Sequence, residues 1–224
     1  MTDNPDDLSS AKPAGPAGLM LDRPVPSFIA RSTKGQVSSD DYRGKWLILF
    51  SHPADFTPVC TSEFIALERS IKEFEKRNCQ LLGLSVDSIY SHVAWLSNIR
   101  EKFGVEVSFP VIEDISMSIA SAFGMLDSNS LSTATVRSVF FIDPQGILRA
   151  NIHYPMQVGR SVAEIVRTLS ALQSVDEHGM SAPEGWHVGE KLVPMAPTTL
   201  EEANRIKAVS ENVEWYYTDT STSN

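Results

Sequence analysis

The chain predicts an α/β domain with a central sheet flanked by helices. From Leu19 to about Ala171, short apolar runs rich in Val, Ile, Leu and Phe alternate with segments of helical periodicity. One of those runs, KWLILFS from Lys45 to Ser51, is continuously apolar, as a strand buried on both faces is. At 224 residues the chain suffices for one good-sized domain with an appendage, but not for two full domains.

Met1 to Gly18 hold Asp, Ser, Pro, Ala and Gly and little that could fill a core, so 1–18 reads as a flexible tail and the domain as 19–175. After the Lys45 to Ser51 strand comes the loop HPADFTPVC. Beyond it Phe64, Leu67, Ile71 and Phe74, spaced by threes and fours, predict one helix ending before Asn78. A second buried strand, Gln80 to Val86, leads to Asp87 and Ser88, which cap a helix carrying Val93, Trp95, Leu96, Ile99 and Phe103. Phe109 to Ile112 reads as a short strand and Ser116 to Phe123 as a short helix. Val136 to Ile142, the turn PQG and Ile147 to Ile152 form a hairpin. Ser161 to Leu172 closes the domain as a helix. From 176 to 217 the character changes: Pro183, Pro194 and Pro197 precede an acidic helical stretch around Leu200 to Val209. This arm has too little apolar surface to fold alone and is expected to pack on its own domain or on a partner subunit, with 218–224 as a flexible tail.

A formal charge of −9, with no basic stripe, disfavours capture of nucleic acid and binding to acidic membranes. No apolar run approaches the length of a membrane span. The acidic N-terminus MTDNPDDLSS carries no secretory or transit signal, so the expected location is the cytoplasm. Two cysteines, Cys60 and Cys79, make a disulfide framework unexpected.

Thr57 is a good helix N-cap and Pro58 suits the first helical position, which places Cys60 in the first turn. Unpaired backbone N–H groups and the positive end of the helix dipole there favour thiolate, the nucleophilic form. A small buried hydrophobe is the alternative reading, but a polar, proline-rich loop after a central strand is where α/β domains place functional groups. Arg137 shares a strand face with Val139 and Phe141 and so needs an anionic partner, a thiolate or a carboxylate such as Glu63. It could equally be an edge-strand arginine reaching into water.

The run from Pro53 to Cys60, PADFTPVC, resembles the peroxiredoxin active-site loop PxxxTxxC. The likeness extends through SHPADFTPVCTSE, Phe123-Gly124-Met125, Val136-Arg137, Tyr154-Pro155, Gly159-Arg160 and Trp186. Over about Leu19 to Pro197 the chain is similar to the one-cysteine peroxiredoxins with a long C-terminal arm. The resemblance implies a thioredoxin-like fold with a central mixed sheet flanked by helices, reduction of hydrogen peroxide and organic hydroperoxides at Cys60 through a sulfenic acid, no cofactor, and a homodimer in which the arm reaches the neighbouring subunit. Dimers could assemble further into rings. By the same likeness Thr57 would hydrogen-bond the incoming oxygens, Arg137 would polarise them, Pro53 would shield the thiolate, and Glu63 would hold Arg137. Glu63 read from its own position is merely a solvated first-turn acid. His52 sits where this subfamily carries a histidine beside the loop, and is either a group near the sulfur or a structural loop residue.

Cys79 leads into a buried strand and is a poor resolving cysteine, so Cys60 is expected to be regenerated by an external thiol, glutathione, a thioredoxin-like protein or another donor. A Cys–His hydrolase using Cys60 and His52 lacks a third member. A zinc site lacks ligands, and Gly44-Lys45-Trp46-Leu47-Ile48 offers no serine for the lipase activity of some relatives. A redox-controlled holdase is the non-enzymatic alternative.

Overall fold

The computed structural model describes residues 19–126, 132–209 and 216–217. The tails expected at 1–18 and 218–224 lie outside the described residues. Strands β1 (Ile29–Ser32), β2 (Gly35–Ser38), β3 (Trp46–Ser51), β4 (Cys79–Ser85), β5 (Val111–Glu113), β6 (Arg137–Ile142) and β7 (Leu148–Tyr154) form one mixed sheet in the order β2-β1-β5-β4-β3-β6-β7. β3 pairs with β4, and β4 with β5, in parallel, whereas β6 runs antiparallel to both β3 and β7.

β3 is buried at every residue, because both faces of the sheet are covered. On one face Ile48, Phe50, Leu81, Val139 and Phe141 meet α1 (Pro58–Arg69), α3 (Ile89–Phe103) and α5 (Val162–His178). On the other, Leu47, Leu49, Leu82, Leu84, Phe140 and Ile142 meet α4 (Ser118–Ala122) and the 3₁₀ turn Ser39–Tyr42. The two ends of α3 show how the sequence punctuates the fold: Ser88 caps it by accepting from Ser91 N at 3.2 Å, and Gly104 ends it at φ 66°, a left-handed conformation that costs glycine little.

Several expectations need correction. The single helix expected through Phe74 is two, α1 and α2 (Ile71–Glu75), broken at Ser70 (φ −102°, ψ 7°). Phe64, Leu67 and Phe74 are buried together across the break with Ile71 partly so, and the apolar spacing therefore conceals it. β1 and β2, short and partly exposed, have no apolar run to announce them. On α3, Val93 and Phe103 are exposed, while His92 takes the buried stripe with Trp95 and Ile99. α5 runs to His178, past the boundary drawn at Val175. Strand β6 is internal, between β3 and β7, which removes the edge-strand reading of Arg137. In the C-terminal segment Trp186 is buried, donates through Nε1 to Glu190 O at 3.1 Å, and receives Arg167 of α5 on its own carbonyl at 3.2 Å. The helical stretch expected near Leu200 is present as α6 (Leu200–Val209).

Candidate active site

Beyond the carboxyl end of β3 the chain passes through His52, Pro53, Ala54, Asp55 and Phe56 before Pro58 opens α1. Cys60 is the third residue of that helix and has no exposed surface. Thr57 occupies the N-cap in extended backbone, but its hydroxyl makes no cap; it donates instead to Ala54 O at 2.9 Å. Pro53, at the start of the loop, is buried. With its proton committed, Thr57 Oγ1 keeps lone pairs with which to accept from a bound molecule.

Arg137 meets this helix from β6. Its Nη1 lies 3.2 Å from Cys60 Sγ and 2.7 Å from Glu63 Oε2, and its Nε donates to Met156 O at 2.8 Å. The Glu63 carboxylate is saturated. Oε1 accepts from the backbone N (2.7 Å) and Nε (2.9 Å) of Arg160, and Oε2 from Arg160 Nη2 (2.7 Å) as well as Arg137. Arg160 also donates to Ser51 O and Ser138 O and lies over the Phe50 ring. Glu63 is therefore a buried residue of the second helical turn, not a solvated acid of the first, because two arginines distant in sequence converge on it.

Charge counting gives this arrangement its chemical meaning. Two buried guanidinium groups face one carboxylate, which leaves one positive charge uncompensated, and the other ionisable side chain that Arg137 contacts is the Cys60 thiol. A thiolate is the anion that balances it. Burial pushes the Glu63 carboxyl up, but the hydrogen bonds and charge of Arg160, with the charge of Arg137, outweigh that and hold it below the ordinary carboxylate range. A depressed folded-state value means that Glu63 contributes stability above the unfolded-state value and loses it as pH falls through the folded one. Thermal unfolding should accordingly show wild type well above Glu63→Gln at pH 7 and the gap narrowing below about pH 4; a gap independent of pH would refute the assignment.

His52 is fully buried against Phe64 and Trp95. Its Nε2 pairs with Asp55 Oδ1 at 2.8 Å and its Nδ1 has no partner, so its one hydrogen bond goes to Asp55 and not to the sulfur. The Cys–His hydrolase pairing thus lacks its activating contact. In the sequence Arg160 is marked only as part of the Gly159-Arg160 motif. Nothing in the sequence pattern joins Asp55 to His92, which bond at 2.8 Å. The one local signal for His92 is a histidine within the apolar stripe of α3.

The family pattern described as AhpC/TSA matches residues 21–151. The chain belongs to that family. A peroxiredoxin of Aquifex aeolicus is 46% identical over 208 residues, covering 88% of this chain and 94% of the relative. Peroxiredoxin 2 of Caldanaerobacter subterraneus subsp. tengcongensis is 49% identical over 193 residues, 86% of each chain. Among solved structures, a yeast mitochondrial 1-Cys peroxiredoxin studied for thiol resolution through glutathione and thioredoxin systems superposes with TM-score 0.76 at 38% identity, covering 84% of this chain and 92% of its own. A cysteine-to-serine mutant of peroxiredoxin 6 from Arenicola marina gives TM-score 0.76 at 33% identity over 87% and 90%. The fold is the thioredoxin-like fold of peroxiredoxins, and the protein is an enzyme, a thiol-dependent peroxidase.

Proposed function

We propose that Cys60 is the peroxidatic nucleophile of a one-cysteine cycle that reduces hydrogen peroxide and organic hydroperoxides. The observation that carries this is the 3.2 Å contact between Cys60 Sγ and an arginine whose charge Glu63 only partly neutralises. The thiolate attacks the hydroxyl oxygen of ROOH, an S–O bond forms as the O–O bond breaks, and the leaving RO⁻ takes up the proton that the thiol released. Arg137 stabilises the charge that develops on the leaving oxygen, Thr57 accepts a hydrogen bond from the peroxide O–H through its free lone pairs, that proton staying on the oxygen transferred to sulfur, and Pro53 keeps water off the sulfur. The products are an alcohol, or water, and a sulfenic acid on Cys60. Stoichiometric peroxide followed by mass spectrometry should add one oxygen atom at Cys60; modification confined to Cys79 would overturn the reading.

The external-thiol half of the cycle rests on Cys79. It opens β4 level with Trp46, at the opposite end of β3 from the loop that holds Cys60. Six strand residues separate those ends, about 16 Å at the rise of a β-strand, far beyond disulfide reach without unfolding. Burial pushes the Cys79 thiol up to about 12, which leaves it protonated and inert at neutral pH. Cys79→Ser should therefore keep full turnover with glutathione or a thioredoxin-type donor; loss of turnover would make Cys79 a resolving residue.

A homodimer fits the arm 176–217, where Val188, Met195 and Leu200 are exposed in the single chain. The proposed location is the cytoplasm. No helix among the described residues is long and apolar enough to cross a membrane. Sedimentation of the full chain against a chain ending at Gly179, just past α5, tests the dimer, with loss of the dimer expected on truncation.

A further inference from the structure

The loop that carries Cys60 from β3 into α1 is tied down by a buried cluster with no part in the chemistry above. Asp55 Oδ1 meets His52 Nε2 at 2.8 Å and Oδ2 meets His92 Nδ1 at 2.8 Å. His92 Nε2 meets the carbonyl of Ile112 on β5 at 3.1 Å, and the Asp55 backbone N–H donates to Asp87 Oδ2 at 3.0 Å. His52, Asp55 and His92 are all buried. One loop residue is thereby fastened to α3, to β5 through His92, and to the turn between β4 and α3. The next residue, Phe56, is exposed and held at φ 55°, a conformation a residue with a bulky side chain adopts only when its surroundings enforce it.

The hydrogen bonds also assign protons. A carboxylate and a carbonyl can only accept, so both nitrogens of His92 donate and its ring carries two protons. His52 donates from Nε2 and is bare at Nδ1. Burial lowers the His52 pKa, in keeping with a neutral ring. Burial raises the Asp55 carboxyl, but the hydrogen bonds from His52 and His92 more than reverse this and keep it ionised. The same donor atoms lie within 4.8 Å of one another, as metal ligands would. Two of the spacings, however, are hydrogen-bond lengths, shorter than the about 3.3 Å that separates tetrahedral ligands bound at ~2.0 Å.

We propose that Asp55 is a positioning residue for the peroxidase reaction: clamped between His52 and His92, it fixes the loop so that Thr57 and Cys60 meet the peroxide beside Arg137. The inference rests on the reading of Cys60 as the peroxidatic residue. Its test measures, in a Cys79→Ser background, the rate at which stoichiometric hydrogen peroxide consumes the Cys60 thiol. Asp55→Ala and His92→Ala should each slow it about 100-fold, the loss expected when reacting groups are misplaced by an ångström. The double variant should be no slower than the slower single, because both remove one contact. Asp55→Asn can accept from His52 through its oxygen and donate to a neutral His92 through its amide, and should restore the rate to within a few-fold of wild type.

Nitrogen-15 spectra of the imidazoles supply a readout independent of activity and of whether the alanine variants fold. His92 should be doubly protonated in the wild type and singly protonated in Asp55→Asn, with His52 in the Nε2–H form in both. Wild-type rates in folded Asp55→Ala, multiplicative losses in the double variant, a neutral His92 in the wild type, or a stoichiometric metal in the purified protein would each overturn the proposal. Peroxide consumption that survives Cys60→Ser would instead overturn the assignment of Cys60, and would leave the imidazole pattern untouched.

Discussion

Cys60→Ser is expected to reduce hydroperoxide consumption with a thiol donor to the uncatalysed background while leaving the fold intact. The two side chains differ by one atom in a site with no exposed surface, and a serine hydroxyl still accepts the hydrogen bond from Arg137 Nη1. Packing and polar satisfaction are thereby preserved. What disappears is ionisation: a hydroxyl stays protonated at neutral pH even beside a guanidinium, and a neutral hydroxyl does not attack a peroxide oxygen. The measurement is peroxide loss under saturating thiol, alongside thermal unfolding. Turnover within tenfold of wild type in a folded variant would remove Cys60 from the chemistry. A collapse of stability would mean that the residue is chiefly a packing element, the alternative that helix position alone leaves open.

The parts of the fold legible in the sequence are those whose signal is local. β3 and β4 are continuous apolar runs because both faces of the sheet are covered, and the β6–β7 hairpin is marked by its turn. β1 and β2, IARS and GQVS, are the last two strands on one side of the sheet, with β2 at its edge, and half-exposed strands there need no apolar code. The break at Ser70 is invisible because α2 resumes the face that α1 leaves. The site divides along the same line. Cys60 at a helix N-terminus and the apolar setting of Arg137 are readable from neighbours in sequence. The burial of Glu63 is not, since it depends on Arg160, which is 97 positions away, and the His52–Asp55–His92 cluster closes across 37.

Arg137→Ala should slow the oxidation of Cys60 by about three orders of magnitude, at the upper end of what one removed oxyanion donor costs, because a full charge is lost with it. Alanine also opens a cavity, since Arg137 is among the largest fully buried side chains. Arg137→Met separates the two effects by filling the volume without the charge. Activity should fall as far as in the alanine variant, but stability should hold or rise. Glu63 keeps Arg160 as a partner on both oxygens, and the positive charge left over in the wild type whenever the sulfur is protonated is gone, leaving a balanced pair. Arg137→Lys retains the charge but loses the planar group that reaches the sulfur, Glu63 Oε2 and Met156 O together, and should recover no more than about tenfold over alanine. The site on this account is electrostatically unbalanced when its sulfur is protonated, and it gives up stability to favour a thiolate. A methionine variant both less stable and less active than wild type would show that Arg137 serves the fold before it serves the sulfur.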